Sequence, residues 1–95
     1  MILSFYDEDT KAFFDTGKTK KGWQSAASVA ARKLDMVAAA TKLKDLEKPP
    51  GNQLEALKRK RKGQHSIRIN DQWRVCFIWT DAGPTRVEIT DYHDE

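Results

Sequence analysis

Hydrophobic and polar positions along the chain change their period near its middle. Ile2–Phe5 reads as a short first strand. Asp7 then stands where an N-cap is expected, and a helix should run through Thr16 to Gly17, a residue suited to the left-handed stop. Phe13 and Phe14 would anchor that helix. From about Ser25 to Leu43 the sequence is rich in Ala, Lys and Leu. Ala27, Ala30, Leu34 and Val37 recur there at three- and four-residue spacing, which marks one face of a longer helix.

Lys48-Pro49-Pro50-Gly51-Asn52 ends helical structure, because proline has no amide proton and restricts the residue before it. Beyond this point the period is two. Ile67 and Ile69 alternate with Ser66, Arg68 and Asn70, and Trp73, Val75, Phe77 and Trp79 alternate with Arg74, Cys76 and Ile78. Asn70-Asp71-Gln72 is short enough to join these two strands as a hairpin, and Asp81-Ala82-Gly83-Pro84 supplies a second turn before a strand from Thr85 to Tyr92. The expected fold is α+β: two N-terminal helices packed on one face of a mainly antiparallel sheet.

Alternation also sorts the sheet's two faces. If the aromatic residues of the Trp73–Trp79 strand face the helices, Arg74 projects the other way, together with Arg68 and Tyr92. Cys76 and Ile78 share that parity, so one end of the open face should be apolar and covered. Glu88 would partly oppose its positive charge. Trp23, just before the long helix, could pack on the core or bind a protein partner, with packing the preferred reading, and His65 reads as a surface strand residue.

Length and composition narrow the picture. Ninety-five residues make one domain, residues 1–95, with 39% hydrophobic and 33% charged residues, a balance that suits a thin two-layer fold and argues against disorder. The longest apolar runs are far shorter than the roughly 20 residues of a membrane-spanning helix. With neither a basic leader nor a secretory apolar stretch at the N-terminus, a cytoplasmic location is expected and no membrane partner. The single cysteine, Cys76, excludes an internal disulfide and a multi-cysteine zinc site, and reads as a small buried hydrophobe. No metal site and no cofactor are expected.

The net charge is only +3 but unevenly placed. Lys58-Arg59-Lys60-Arg61-Lys62 is an unbroken basic run, whereas Asp91, Asp94 and Glu95 make the tail acidic, and such asymmetry points to a polyanionic partner. A cationic, partly aromatic sheet face suits RNA, since cations meet phosphates and a tyrosine can stack on an unpaired base. Metal-free RNA cleavage uses the neighbouring 2′-hydroxyl as nucleophile. It therefore needs a group to take that proton, cations to hold the phosphate and an acid for the departing oxygen. Candidates of each kind are present.

The stretch from Gly63 through Ser66-Ile67-Arg68-Ile69-Asn70 and Trp73-Arg74-Val75 to Asp91-Tyr92-His93, together with Ser4-Phe5 and Gly17, resembles HigB-type toxins of the RelE superfamily over nearly the whole chain. The resemblance implies a RelE-like fold and ribosome-dependent mRNA cleavage. It also implies a partner antitoxin carrying a helix-turn-helix DNA-binding domain. By position, Lys58 and Arg74 correspond to the family's phosphate-contacting cations, and Asp91, Tyr92 and His93 to its C-terminal catalytic cluster. The chain departs from the family where relatives often have His-Pro-Leu-Lys. Here Glu55-Ala56-Leu57-Lys58 puts a carboxylate in place of an imidazole, which leaves the identity of the general base open.

The expected catalytic set is thus Arg74, Asp91, Tyr92, His93 and Glu55, and the expected RNA-binding set is Lys58, Arg59, Lys60, Arg61 and Arg68. A regular last strand would send Asp91 and His93 away from Tyr92, so all three serve one site only if the chain bends there. Two other readings compete. One is a non-catalytic module that binds RNA or the ribosome through the basic run and blocks translation without cutting; the other is a regulatory protein that acts on DNA or another protein. For Arg74 the competing structural role is an ion pair with Glu88 or Asp91.

Overall fold

A computed structural model of the chain describes residues 1–91. Helix α1 spans Glu8–Thr16 and helix α2 spans Ala27–Ala39, followed by strands β1 Glu55–Ala56, β2 His65–Arg68, β3 Arg74–Thr80 and β4 Gly83–Thr90. The strands form one antiparallel sheet in the order β1-β2-β3-β4. This is the expected α+β architecture, with both helices N-terminal to the sheet.

Helix α1 begins and ends where the sequence places it. The Asp7 side chain accepts from Thr10 N at 2.7 Å, and Gly17, at φ 75°, donates its amide to Phe13 O at the other end. Helix α2 is shorter than expected at both ends. Gly22–Ala26 winds as a 3-10 turn ahead of it, and Leu43 belongs to a separate 3-10 turn, Leu43–Glu47. The early stop has a local cause: the Asp45 carboxylate accepts from Thr41 N, Thr41 Oγ1 and Lys42 N at 3.0–3.2 Å, so those amides are satisfied outside a helix. The N-terminal segment makes only an isolated parallel bridge, Phe5 to Val87, in place of a full strand, although Leu3 and Tyr6 donate to Pro84 O and Val87 O along the edge of β4.

The core lies between the helices and one sheet face. Phe13, Ala30, Leu34, Val37, Ile67, Val75, Phe77, Val87 and Ile89 are buried there. Trp23 joins it as expected, meeting Phe13 edge-on at 6.1 Å and Trp73 at 5.7 Å between ring centroids. Gly22 lies so close to Trp73 that a β-carbon there would stand 2.5 Å from the indole. His65 differs from its surface reading. It pairs with Phe77, stacks on that ring at 6.4 Å and is half-buried on the helix side of the sheet. Between Cys76 and Ile78 the β3–β4 register shifts, and Arg86 takes φ 51°, so the last strand bends and does not run regularly.

Candidate functional site

Two cross-strand rows build the face turned away from the helices. The first runs Glu55, Ser66, Cys76, Glu88 across all four strands, and the second runs Arg68, Arg74, Thr90. The Arg74 side chain reaches from the second row to the first. Its Nε donates to Ser66 Oγ at 2.8 Å, its Nη2 donates to Gln53 O at 2.7 Å, and the same Nη2 is 3.8 Å from Glu55 Oε1. Its structural partner is therefore Glu55, and not Glu88 or Asp91. The side chain is 16% exposed, so most of it is committed to these contacts.

Arg68 stands directly opposite Arg74 in the β2–β3 ladder. Like charges in that relation repel, so each needs an anionic or polar partner. Arg68 has one in Asp71 of the hairpin, through Nη2 to Oδ1. Around the pair lies an open cleft of about 640 Å³, lined also by Gln53, Asn70, Gln72 and Asp91. Asn70 Oδ1 accepts from Gln72 N at 2.9 Å and Trp73 N at 2.8 Å, a turn stabilised by its own side chain. Gln72 Nε2 in turn donates to Asp91 Oδ2 at 3.1 Å, which holds the carboxylate at the mouth of the cleft.

The apolar end of the face is covered only in part, with Cys76 buried and Ile78 half-buried. The basic run folds as a loop with a 3-10 turn at Arg59–Arg61, and it ends at Gly63, where φ is 97°. Arg61 leaves the exposed group: its Nη1 meets Glu88 Oε1 at 2.9 Å and Gln64 Oε1 at 3.2 Å, with side-chain exposures of 23% for Arg61 and 12% for Glu88. Beneath that pair Cys76 is wholly buried, and desolvation pushes its thiol pKa up to about 12. The inert reading of Cys76 therefore stands.

Of the expected site residues, Arg74, Arg68, Asp91 and Glu55 come together at one cleft and its rim. Lys58, Arg59 and Lys60 are exposed on the loop, outside the cleft lining. Tyr92 and His93 lie outside the described residues. Sequence reading missed Ser66 and Gln53 as partners of Arg74. Ser66 carries a signal, the same parity as Arg68, whereas the Gln53 carbonyl acts through a backbone at φ 47° that no side-chain pattern announces. Among the described residues no group of His, Cys, Asp and Glu is placed to hold a metal ion, and no helix is long and apolar enough to cross a membrane.

The chain is thus a small α+β domain that carries two opposed arginines with flanking carboxylates on the sheet face turned away from its helices. The chain is a member of the HigB-like toxin family, described as the RelE-like toxin of type II toxin-antitoxin system HigB, which it matches over residues 3–93. It is 39% identical to "Toxin HigB-1" of Vibrio cholerae over 83 residues, covering 86% of this chain and 87% of the relative. An uncharacterized protein of Haemophilus influenzae is 39% identical over 74 residues, covering 77% of this chain and 73% of the other. The protein is thus a toxin of a type II toxin-antitoxin family, and membership implies an antitoxin partner.

Proposed function

We propose that this toxin is a metal-independent, ribosome-dependent mRNA endoribonuclease that inhibits translation in the cytoplasm and is neutralised by a helix-turn-helix antitoxin. The observation that carries the proposal is the Arg68–Arg74 pair. Two arginines stand opposite each other in the β2–β3 ladder on the face away from the helices, a juxtaposition of like charges that costs stability and that a phosphate held by both would repay.

In this reading Arg68 and Arg74 hold the non-bridging oxygens of the scissile phosphate, and exposed Lys58, Arg59 and Lys60 track the strand beyond it. Glu55, beside Arg74, takes the proton of the 2′-hydroxyl as that oxygen attacks phosphorus. The departing 5′-oxygen receives a proton from the terminal Tyr92-His93 pair, which leaves a 2′,3′-cyclic phosphate and a free 5′-hydroxyl. Asp91, tied to Gln72, lines the same cleft as the two arginines. The cationic pair supplies charge stabilisation directly, so the chemistry calls on no metal ion.

Programmed ribosomes with a bound messenger test this. Added protein should cut the messenger, and primer extension should map the cuts within the decoded codon. An intact messenger with halted translation would favour binding without cleavage, through the exposed basic loop.

A further inference from the structure

The loop between α2 and β1 holds a second buried polar cluster that the chemistry above does not use. Asn52 is fully buried and accepts from Lys33 Nζ of α2 at 2.6 Å. Its amide nitrogen donates to Leu46 O at 3.2 Å and Lys48 O at 3.1 Å. One side chain thus ties the Leu43–Glu47 turn, the Pro50–Asn52 turn and helix α2 to a single point. Lys33 is itself 7% exposed, so both members of the contact are committed to it.

The next residue is Gln53. It sits in the left-handed region, φ 47° and ψ 53°, with its amide bonded to Pro50 O, and its carbonyl receives Arg74 Nη2 at 2.7 Å. The direction of that carbonyl is set by the backbone, and the backbone is held one residue earlier by Asn52. Among the described residues, Arg74 is otherwise held by Ser66 Oγ on its Nε and by the longer approach to Glu55.

We infer that Asn52, clamped by Lys33, is a positioning residue for Arg74: through the Gln53 carbonyl it fixes the guanidinium in the orientation that meets the phosphate. This rests on the reading of Arg74 as the phosphate-holding cation. A buried anchor suits the task, because a misplacement of about 1 Å in a catalytic group costs on the order of 100-fold in rate. Gln53 needs such an anchor, since its αL backbone is a costly conformation for a residue with a side chain.

The test is a double-mutant cycle on cleavage of ribosome-bound messenger, with thermal unfolding of every variant. Asn52→Ala should lower kcat roughly 10- to 100-fold with KM close to that of the parent. In an Arg74→Lys background, whose ammonium cannot reach Ser66 and Gln53 together, Asn52→Ala should lower kcat by less than about twofold. Its effect on Tm should be the same in both backgrounds. Should Asn52→Ala fail to fold, Lys33→Met carries the same cycle with the packing of α2 kept. Multiplicative losses in the double variant, or a loss that only follows the unfolded fraction, would overturn the inference. If Arg74→Lys alone leaves cleavage intact, the assignment of Arg74 fails instead.

Discussion

Arg68 and Arg74 occupy directly opposed positions on adjacent strands, with Asp71 on one guanidinium and Ser66 Oγ and Gln53 O on the other. A sheet built only for stability would place a complementary pair there. On the proposed reading, these contacts fix the donors in advance, so a phosphate entering the cleft would meet groups that need little reorganisation.

Replacing one member of this pair should separate stability from function. Arg68→Thr removes the repulsion and an ion pair whose Asp71 is fully exposed, so unfolding free energy should stay within about 0.5 kcal/mol or rise. RNA affinity should fall, and its salt dependence should flatten by about one contact. Urea unfolding and a salt titration of single-stranded RNA binding measure the two arms.

Glu55 carries the proposed proton transfer, so Glu55→Gln should keep the fold and lower cleavage about 10²- to 10⁴-fold. Single-turnover kinetics with ribosomes in excess measure this. A rate within twofold of the parent would move the base to another residue.

The Arg61–Glu88 contact should behave as structure. Arg61→Ala leaves a mostly buried carboxylate without this partner and should destabilise the fold by about 1–3 kcal/mol. Lys60→Ala, on the exposed part of the same loop, should change stability by less than about 0.5 kcal/mol and weaken RNA binding. Parallel melts and binding assays distinguish the two.

Cys76 gives a pH signature. Burial pushes its thiol up to about 12 in the fold, above the ordinary 9.0 of an unfolded thiol, so the unfolded state loses its proton first. The contribution to stability is complete below pH 9 and is lost as pH rises through 9 towards 12. Iodoacetamide at pH 8 should therefore label the unfolded chain and leave the native protein unmodified over the same interval.

Gly22 should tolerate no side chain. With a β-carbon 2.5 Å from the Trp73 ring, Gly22→Ala must displace an indole wedged against Trp23, and a loss of about 1–3 kcal/mol is expected in thermal unfolding.

Much of this was legible in the sequence because the periods are clear. The α1 caps Asp7 and Gly17, the buried Ala30-Leu34-Val37 stripe and the Arg68/Arg74 face all follow from local chemistry and alternation. What was not legible depends on contacts distant in sequence or on backbone direction. Glu55–Ala56 is too short to show a period, and it is a strand only because β2 offers it an edge. Asp45 ends α2 through hydrogen bonds to Thr41 and Lys42 that compete with a strong helical composition. Arg61 reads like its basic neighbours until the fold brings Glu88 to it across 27 residues of chain. Asn52 reads as a turn residue, and its burial and link to Lys33 emerge only in three dimensions.

The most direct measurement is cleavage of a defined messenger in a purified translation system, comparing the parent with Arg74→Ala at equal ribosome occupancy. The account predicts codon-mapped cuts by the parent and a rate about 10²- to 10³-fold lower for the variant. Equal cleavage by the two proteins, or none by the parent on translating ribosomes, would contradict it.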